Sequence, residues 1–192
     1  MTTFSQTLAG SDNDGREAQD GTAFSATSTT NAHDSNSATG SRFNTLLRFT
    51  SPTFSGTIDA GTNVQLFITS TDEDDVALDW HYEDIDNPGD LASNADITDR
   101  SRSATSVAWV ADGIGSGYQT SPELQTLFQA LVDNRAFGTA FALLMIGRAT
   151  PDRVSRSISV DNGAAVPAIL TVEFTAGASA TRRYSLPMTG VG

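Results

Sequence analysis

The sequence predicts an all-β fold, a jelly-roll β-sandwich with one short amphipathic helix at about residues 121–134. Two patterns and the composition carry that prediction. Several stretches alternate apolar and polar residues with the period of a half-buried strand, most cleanly Val76, Leu78, Trp80 and Tyr82 against Ala77, Asp79, His81 and Glu83. One stretch alone has helical spacing: Leu124, Leu127, Phe128, Leu131 and Val132 fall at i, i+3, i+4, i+7 and i+8 and share one helix face. The 16 glycines and the abundance of Ser, Thr, Asn and Asp suit short strands joined by turns.

A lone helix must lie on something built of strands, and the apolar run Phe141-Ala-Leu143-Leu144-Met145-Ile146 after it is the expected central strand. Two starts fit the helix. Thr120 as N-cap would place Glu123 at N3 in a capping box, and Ser121 as N-cap would place Pro122 at the first helical position. Arg135 and Gly138 mark its end.

In chain order, residues 3–8 alternate as a first strand and residues 11–15 read as a turn. Asp12 and Asp14 in that turn resemble the front of a calcium loop. The Glu that such a loop needs eleven positions after its first Asp is replaced by Ala23, so an Asx turn is the simpler reading. A strand at 23–28 precedes a Ser/Thr/Asn-rich loop holding His33 and Asp34, neighbours without an accompanying nucleophile. Residues 42–50 place Phe43, Thr45, Leu47 and Phe49 on one strand face, with Arg42, Leu46 and Arg48 towards the other. Short strands at 56–58 and 64–69 lead to the charge run 72–75, whose Asp72 and Asp74 are the second weak calcium candidates and otherwise a solvated loop. Trp80 and Tyr82 share the apolar face of the strand at 76–82, which reads as core before it reads as a platform for sugar rings; His81 lies on the polar face with no assigned role. Residues 83–90 form an acidic, turn-rich loop. After a strand at 107–110, a Gly-rich turn, the helix and its following strand come strands at 153–160, 169–174 and 181–186, about nine or ten in all.

The length of 192 residues fits a single sandwich domain, 1–175, followed by a C-terminal strand or tail, 176–192. The formal charge is −12, and all the basic residues are arginine. Such a surface repels phosphate backbones and anionic lipid, so neither nucleic acid nor membrane is an expected partner. Without cysteine there is no disulfide, thiolate nucleophile or Cys-ligated zinc. No carboxylate pair, Ser–His arrangement or phosphate loop stands out: Gly113-Ile-Gly115-Ser-Gly117 lacks the spacing and lysine of the last. The chain is therefore read as no enzyme, with no cofactor and no committed metal site. The first residues lack the basic start and apolar core of a signal peptide.

Residues 83–87, 97–109, 118–124 and 141–147, with Arg42-Phe43, Leu47-Arg48-Phe49 and 167–174, together resemble the DNRLRE-type, carbohydrate-binding-module-like jelly-roll domains of bacterial surface proteins and bacteriophage particles. The resemblance is carried by strand and turn positions across about 42–174. A lone module without export signal or linker is more similar to the phage-particle members. It implies a virion structural protein made in the host cytoplasm, a capsid decoration (cement) or other particle-surface component. Such a protein would act as a homo-oligomer, with a trimer as the expected form, against capsid or other virion proteins. The alternative is a carbohydrate-binding module gripping glycan with Trp80, Tyr82 and Tyr118. For assembly, Arg182, Arg183 and Tyr184 in the tail offer strand composition and positive charge to an otherwise acidic neighbour.

Overall fold

The structure is a computed structural model that describes residues 1–8, 13–21, 24–25, 31–32, 43–68, 76–91, 97–111, 113–148, 157–159 and 166–177. It is an all-β sandwich of two antiparallel sheets with one helix. Its strands are β1 (Thr2–Thr7), β2 (Asp14–Ala18), β3 (Phe24–Ser25), β4 (Asn31–Ala32), β5 (Phe43–Thr50), β6 (Thr57–Ile58) and β7 (Asn63–Ile68). There follow β8 (Val76–Tyr82), β9 (Val107–Ala111), β10 (Gly117–Thr120), the helix α1 (Gln125–Asn134), β11 (Ala140–Gly147), β12 (Ser157–Ser159) and β13 (Ile169–Thr175).

The pairing of the eight principal strands is that of a long hairpin rolled up on itself. The first pairs with the last (β1 with β13), the second with the seventh (β5 with β11), the third with the sixth (β7 with β10) and the fourth with the fifth (β8 with β9). This is jelly-roll winding. β7 joins β13 in the seven-stranded sheet and β11 joins β8 in the six-stranded one. The short strands extend these ladders: β2 and β3 widen the six-stranded sheet beyond β5, while β4, β6 and β12 lengthen the other.

Side-chain alternation explains which face each strand buries. Val64, Leu66 and Ile68 of β7 and Leu170, Val172 and Phe174 of β13 turn inward, opposite Leu47, Phe49, Leu78, Trp80, Phe141 and Leu143 from the other sheet. Phe54, in the link between β5 and β6, sits at the centre of an aromatic cluster with Phe4, Phe128, Phe137, Phe141 and Phe174, at centroid distances of 5.1–6.5 Å. The buried rings, Phe54, Phe128, Phe141 and Phe174, each stabilise by about 1.5–3 kcal/mol through area removed from water, while Phe4 and Phe137 are partly buried. β11 lies between β5 and β8 and is buried on both faces, as its unbroken apolar run predicts.

Two local expectations are corrected. The helix begins at Gln125, with Leu124 as N-cap and no side-chain cap. Neither the Thr120 box nor the Ser121–Pro122 start forms, because the preceding segment is still held on β7: Ser121 N donates to Val64 O and Leu124 N to Thr62 O. The helical run itself packs as predicted. Leu124, Leu127, Phe128 and Leu131 are buried, and Val132 is partly so. At its end Arg135 is extended, and no left-handed glycine closes the helix. The second correction concerns 11–15, where Asp14 and Gly15 belong to strand β2, opposite Leu47 and Leu46, and not to a turn. β10 is a strand that the sequence reading left inside a Gly-rich turn, and thirteen strands are described where nine or ten were expected.

Candidate interaction surface

The two sheets differ on their outer faces. On the six-stranded sheet, Leu46, Ala142 and Leu144 point away from the main core and are covered by Leu91 and Ile97 from the segment between β8 and β9. That segment contains the acidic run 83–90, which is no free solvated loop. Arg100 donates to Glu83 Oε2 at 2.8 Å and to the carbonyls of Gly89 and Asp90. Arg48, reaching up from β5, donates to Pro88 O and Asn13 Oδ1. Arg135 pairs with Asp84 at 2.7 Å, Ala136 N donates to Asp86 Oδ1 and Thr139 N to Asn87 Oδ1, so the same run also fixes the exit of α1. From β2, Glu17 accepts the backbone N–H groups of Ile97 and Thr98 through Oε2. The loop layer is therefore a charged cover fastened from four sides.

One cleft opens in this cover, of about 350 Å³, lined by Glu83, Ile85, Gly89, Asp99, Arg100 and Ser101. Its floor is the Glu83–Arg100 pair, with side chains only 3% and 9% exposed. Both charges are spent on each other and on the backbone, so the cleft offers a ligand little beyond the Asp99 carboxylate.

The outer face of the seven-stranded sheet is bare of such a layer among the described residues. Register puts Thr3, Ser5 and Thr7 of β1, Ile169, Thr171 and Glu173 of β13, Asn63, Gln65 and Phe67 of β7, and Tyr118 and Thr120 of β10 on it. Its middle is aromatic. Tyr118 is 42% exposed and stands in an edge-to-face contact with Phe67 at 5.3 Å. Its hydroxyl donates to Pro167 O, beyond the far edge of β7, so the ring lies across β7 along the sheet instead of projecting from it. Charge on this face among the described residues is confined to one end, where the Glu173 carboxylate accepts the Thr3 hydroxyl and Asp59 Oδ2 accepts the Thr175 hydroxyl.

Set against known proteins, the chain matches no family model and no curated sequence.

The residues singled out from sequence fall apart in space. Trp80 and Tyr82 are 0% and 4% exposed and line the core, so their rings present no platform; of the three glycan candidates only Tyr118 reaches solvent. His81 Nδ1–H donates to Ser103 O at 3.0 Å, a local tie of β8 to the loop layer. Asp14 is fully buried in β2, and no group of three or more His, Cys, Asp or Glu among the described residues is placed to hold a metal. Asp12, Asp72, Asp74, His33, Arg42, Arg182, Arg183 and Tyr184 lie outside the described residues. Phe67 and Gln65 were not singled out from sequence, and Thr120 only as a helix N-cap. The alternation Gly117-Tyr118-Gln119-Thr120 was the available signal, hidden by its neighbouring glycines.

β9 and β10, successive in the chain, are each an edge strand of one of the two sheets, paired on one side alone among the described residues. Both carry an exposed apolar residue, Val110 at 47% and Tyr118 at 42%. Open edges of this kind are templates for pairing with another chain.

Proposed function

We propose that this chain is a non-enzymatic bacteriophage virion structural protein, a capsid decoration or other particle-surface component that works as a homo-oligomer. The observation that carries the reading is the inequality of the two outer faces. One is sealed by its own arginine-fastened, acidic loop layer, and the other is a bare, nearly uncharged sheet flanked by open strand edges. A module built this way has one side to leave in solvent and one side to place against neighbours. Its contribution to a particle is a layer of added contacts, through apolar burial and strand-edge pairing, that resists outward pressure on the shell.

The tail belongs to the same proposal. The strand expected from sequence at 181–186, with Arg182 and Arg183, would take a neighbour's acidic surface as its complement. Mass spectrometry of purified particles tests the reading. The chain should be present in many copies per particle, and its absence from particles of a phage that encodes it removes the proposal.

A carbohydrate-binding reading retains one favourable observation, the exposed ring of Tyr118 beside Phe67. Binding of the intact protein across a glycan array, lost in Tyr118→Ala, would support it; silence on the array ends it.

A further inference from the structure

We propose that the outer face of the seven-stranded sheet is the docking face for a second copy of this chain, in a face-to-face pair that brings the two Tyr118 rings to its centre. The inference rests on the homo-oligomer reading above and names the surface it uses.

Charge decides the partner face. Two copies each carry a formal −12, and among the described residues Arg48, Arg100, Arg135 and Arg148 are already engaged with Asp90, Glu83, Asp84 and Asp79. At physiological salt, charges beyond about 8 Å are largely screened, so the repulsion that matters comes from carboxylates on the contacting face itself. The loop layer of the six-stranded sheet brings Asp84, Asp86, Asp90 and Asp99 to any such contact. Among the described residues the opposite face brings two carboxylates, Glu173 and Asp59, both at one end. Two copies of this face can therefore meet with few like charges in contact, which two facing loop layers cannot.

The centre of the face has the chemistry of a contact. Tyr118 and Phe67 form a preset aromatic pair, and Ile169 lies diagonally beside Phe67 across the β7–β13 ladder. Because the Tyr118 hydroxyl is anchored on Pro167 O, its ring is ordered before a partner arrives, so little rotamer freedom remains to be lost. Thr3, Ser5, Asn63, Gln65, Thr120 and Thr171 surround this centre with hydroxyls and amides that pair in either sense.

Size sets the strength. Four strand lanes about 4.8 Å apart and about 20 Å long give roughly 400 Å² of plane, about half of what a standard interface buries per partner. The pair is therefore expected to be reversible, with free and paired chains in exchange. An isologous contact of this kind closes at two copies, in place of the trimer expected from sequence.

Sedimentation equilibrium of the full chain over a concentration series tests this. The mass should rise from 20.2 kDa towards twice that value. Tyr118→Glu, and Gln65→Glu, which adds charge while keeping the ring, should each move the midpoint at least about tenfold higher in concentration with the thermal midpoint unchanged. Ile85→Glu, exposed in the loop layer over the other sheet, should leave association as it was. A chain monomeric at every concentration overturns the proposal, as does association indifferent to both face variants. A monomer that binds a neutral oligosaccharide in a Tyr118-dependent way would assign the face to a sugar ring instead. If the protein pairs as described yet is missing from purified particles, the virion reading falls and the docking face stands.

Discussion

Glu83 and Arg100 form a buried pair that holds the loop layer in place, and its energetics are lopsided. Taking both charges from water offsets most of their attraction, whereas removing one partner strands the other. Arg100→Ala should therefore lower unfolding stability by about 3–5 kcal/mol, while replacing both residues with apolar ones of similar volume should cost much less. Denaturant midpoints of the two variants decide it. Equal losses would mean that the pair contributes net stability, and no loss in the single variant would mean that the layer is not anchored there. Leu127, fully buried under α1, gives the apolar counterpart: Leu127→Ala should cost about 2–5 kcal/mol, and a change within about 0.5 kcal/mol would place the helix off the sandwich.

At the level of elements, the start of α1 depends on residues far away in sequence. Glu123 accepts Gly61 N through Oε2 and Thr62 N and Gln125 N through Oε1, tying the first turn of the helix to the turn before β7. Glu123→Ala should accordingly cost about 1 kcal/mol, and Thr120→Ala, exposed in β10 with no cap to lose, should stay within about 0.5 kcal/mol. The opposite ranking in thermal melts would restore the capping box. The run from Leu124 to Val132 was legible because its face is periodic, and β11 because its apolar run is unbroken. The start of α1 was not, since the carboxylate that closes it bonds to residues 61 and 62. β2 was hidden by a Ser-Asp-Asn-Asp-Gly composition that normally turns, and β10 by the glycines at 113, 115 and 117 that precede Tyr118. For the candidate surface, alternation in β8 put Trp80 and Tyr82 in the core. Nothing local says which outer face the 83–103 segment covers, so the bare face emerges only from the pairing of distant strands.

For the whole molecule, net charge and contact face make opposite demands, and salt separates them. Adding salt screens repulsion between copies without weakening an apolar contact, so association should strengthen from low to physiological ionic strength; weakening would point to ion pairs at the interface. Deleting residues 177–192 should leave the sandwich folded, because β13 ends at Thr175, while weakening assembly or particle binding. A truncated chain that fails to fold, or assembles unchanged, would make the tail an intrachain strand or a passenger. The position of β13 between β1 and β7 also sets a timetable for synthesis. β1 is made first, yet its ladder partner is the last described strand, so the nascent chain must carry Phe4 and Leu8 unburied until nearly the whole sequence has left the ribosome. Such distant closures are slow, in the millisecond-to-second range typical of sandwiches, and they leave strand edges open meanwhile. A ribosome-bound chain that ends before Ile169 should remain protease-sensitive in β1 and β7. Release of the remaining residues should protect both strands in one step.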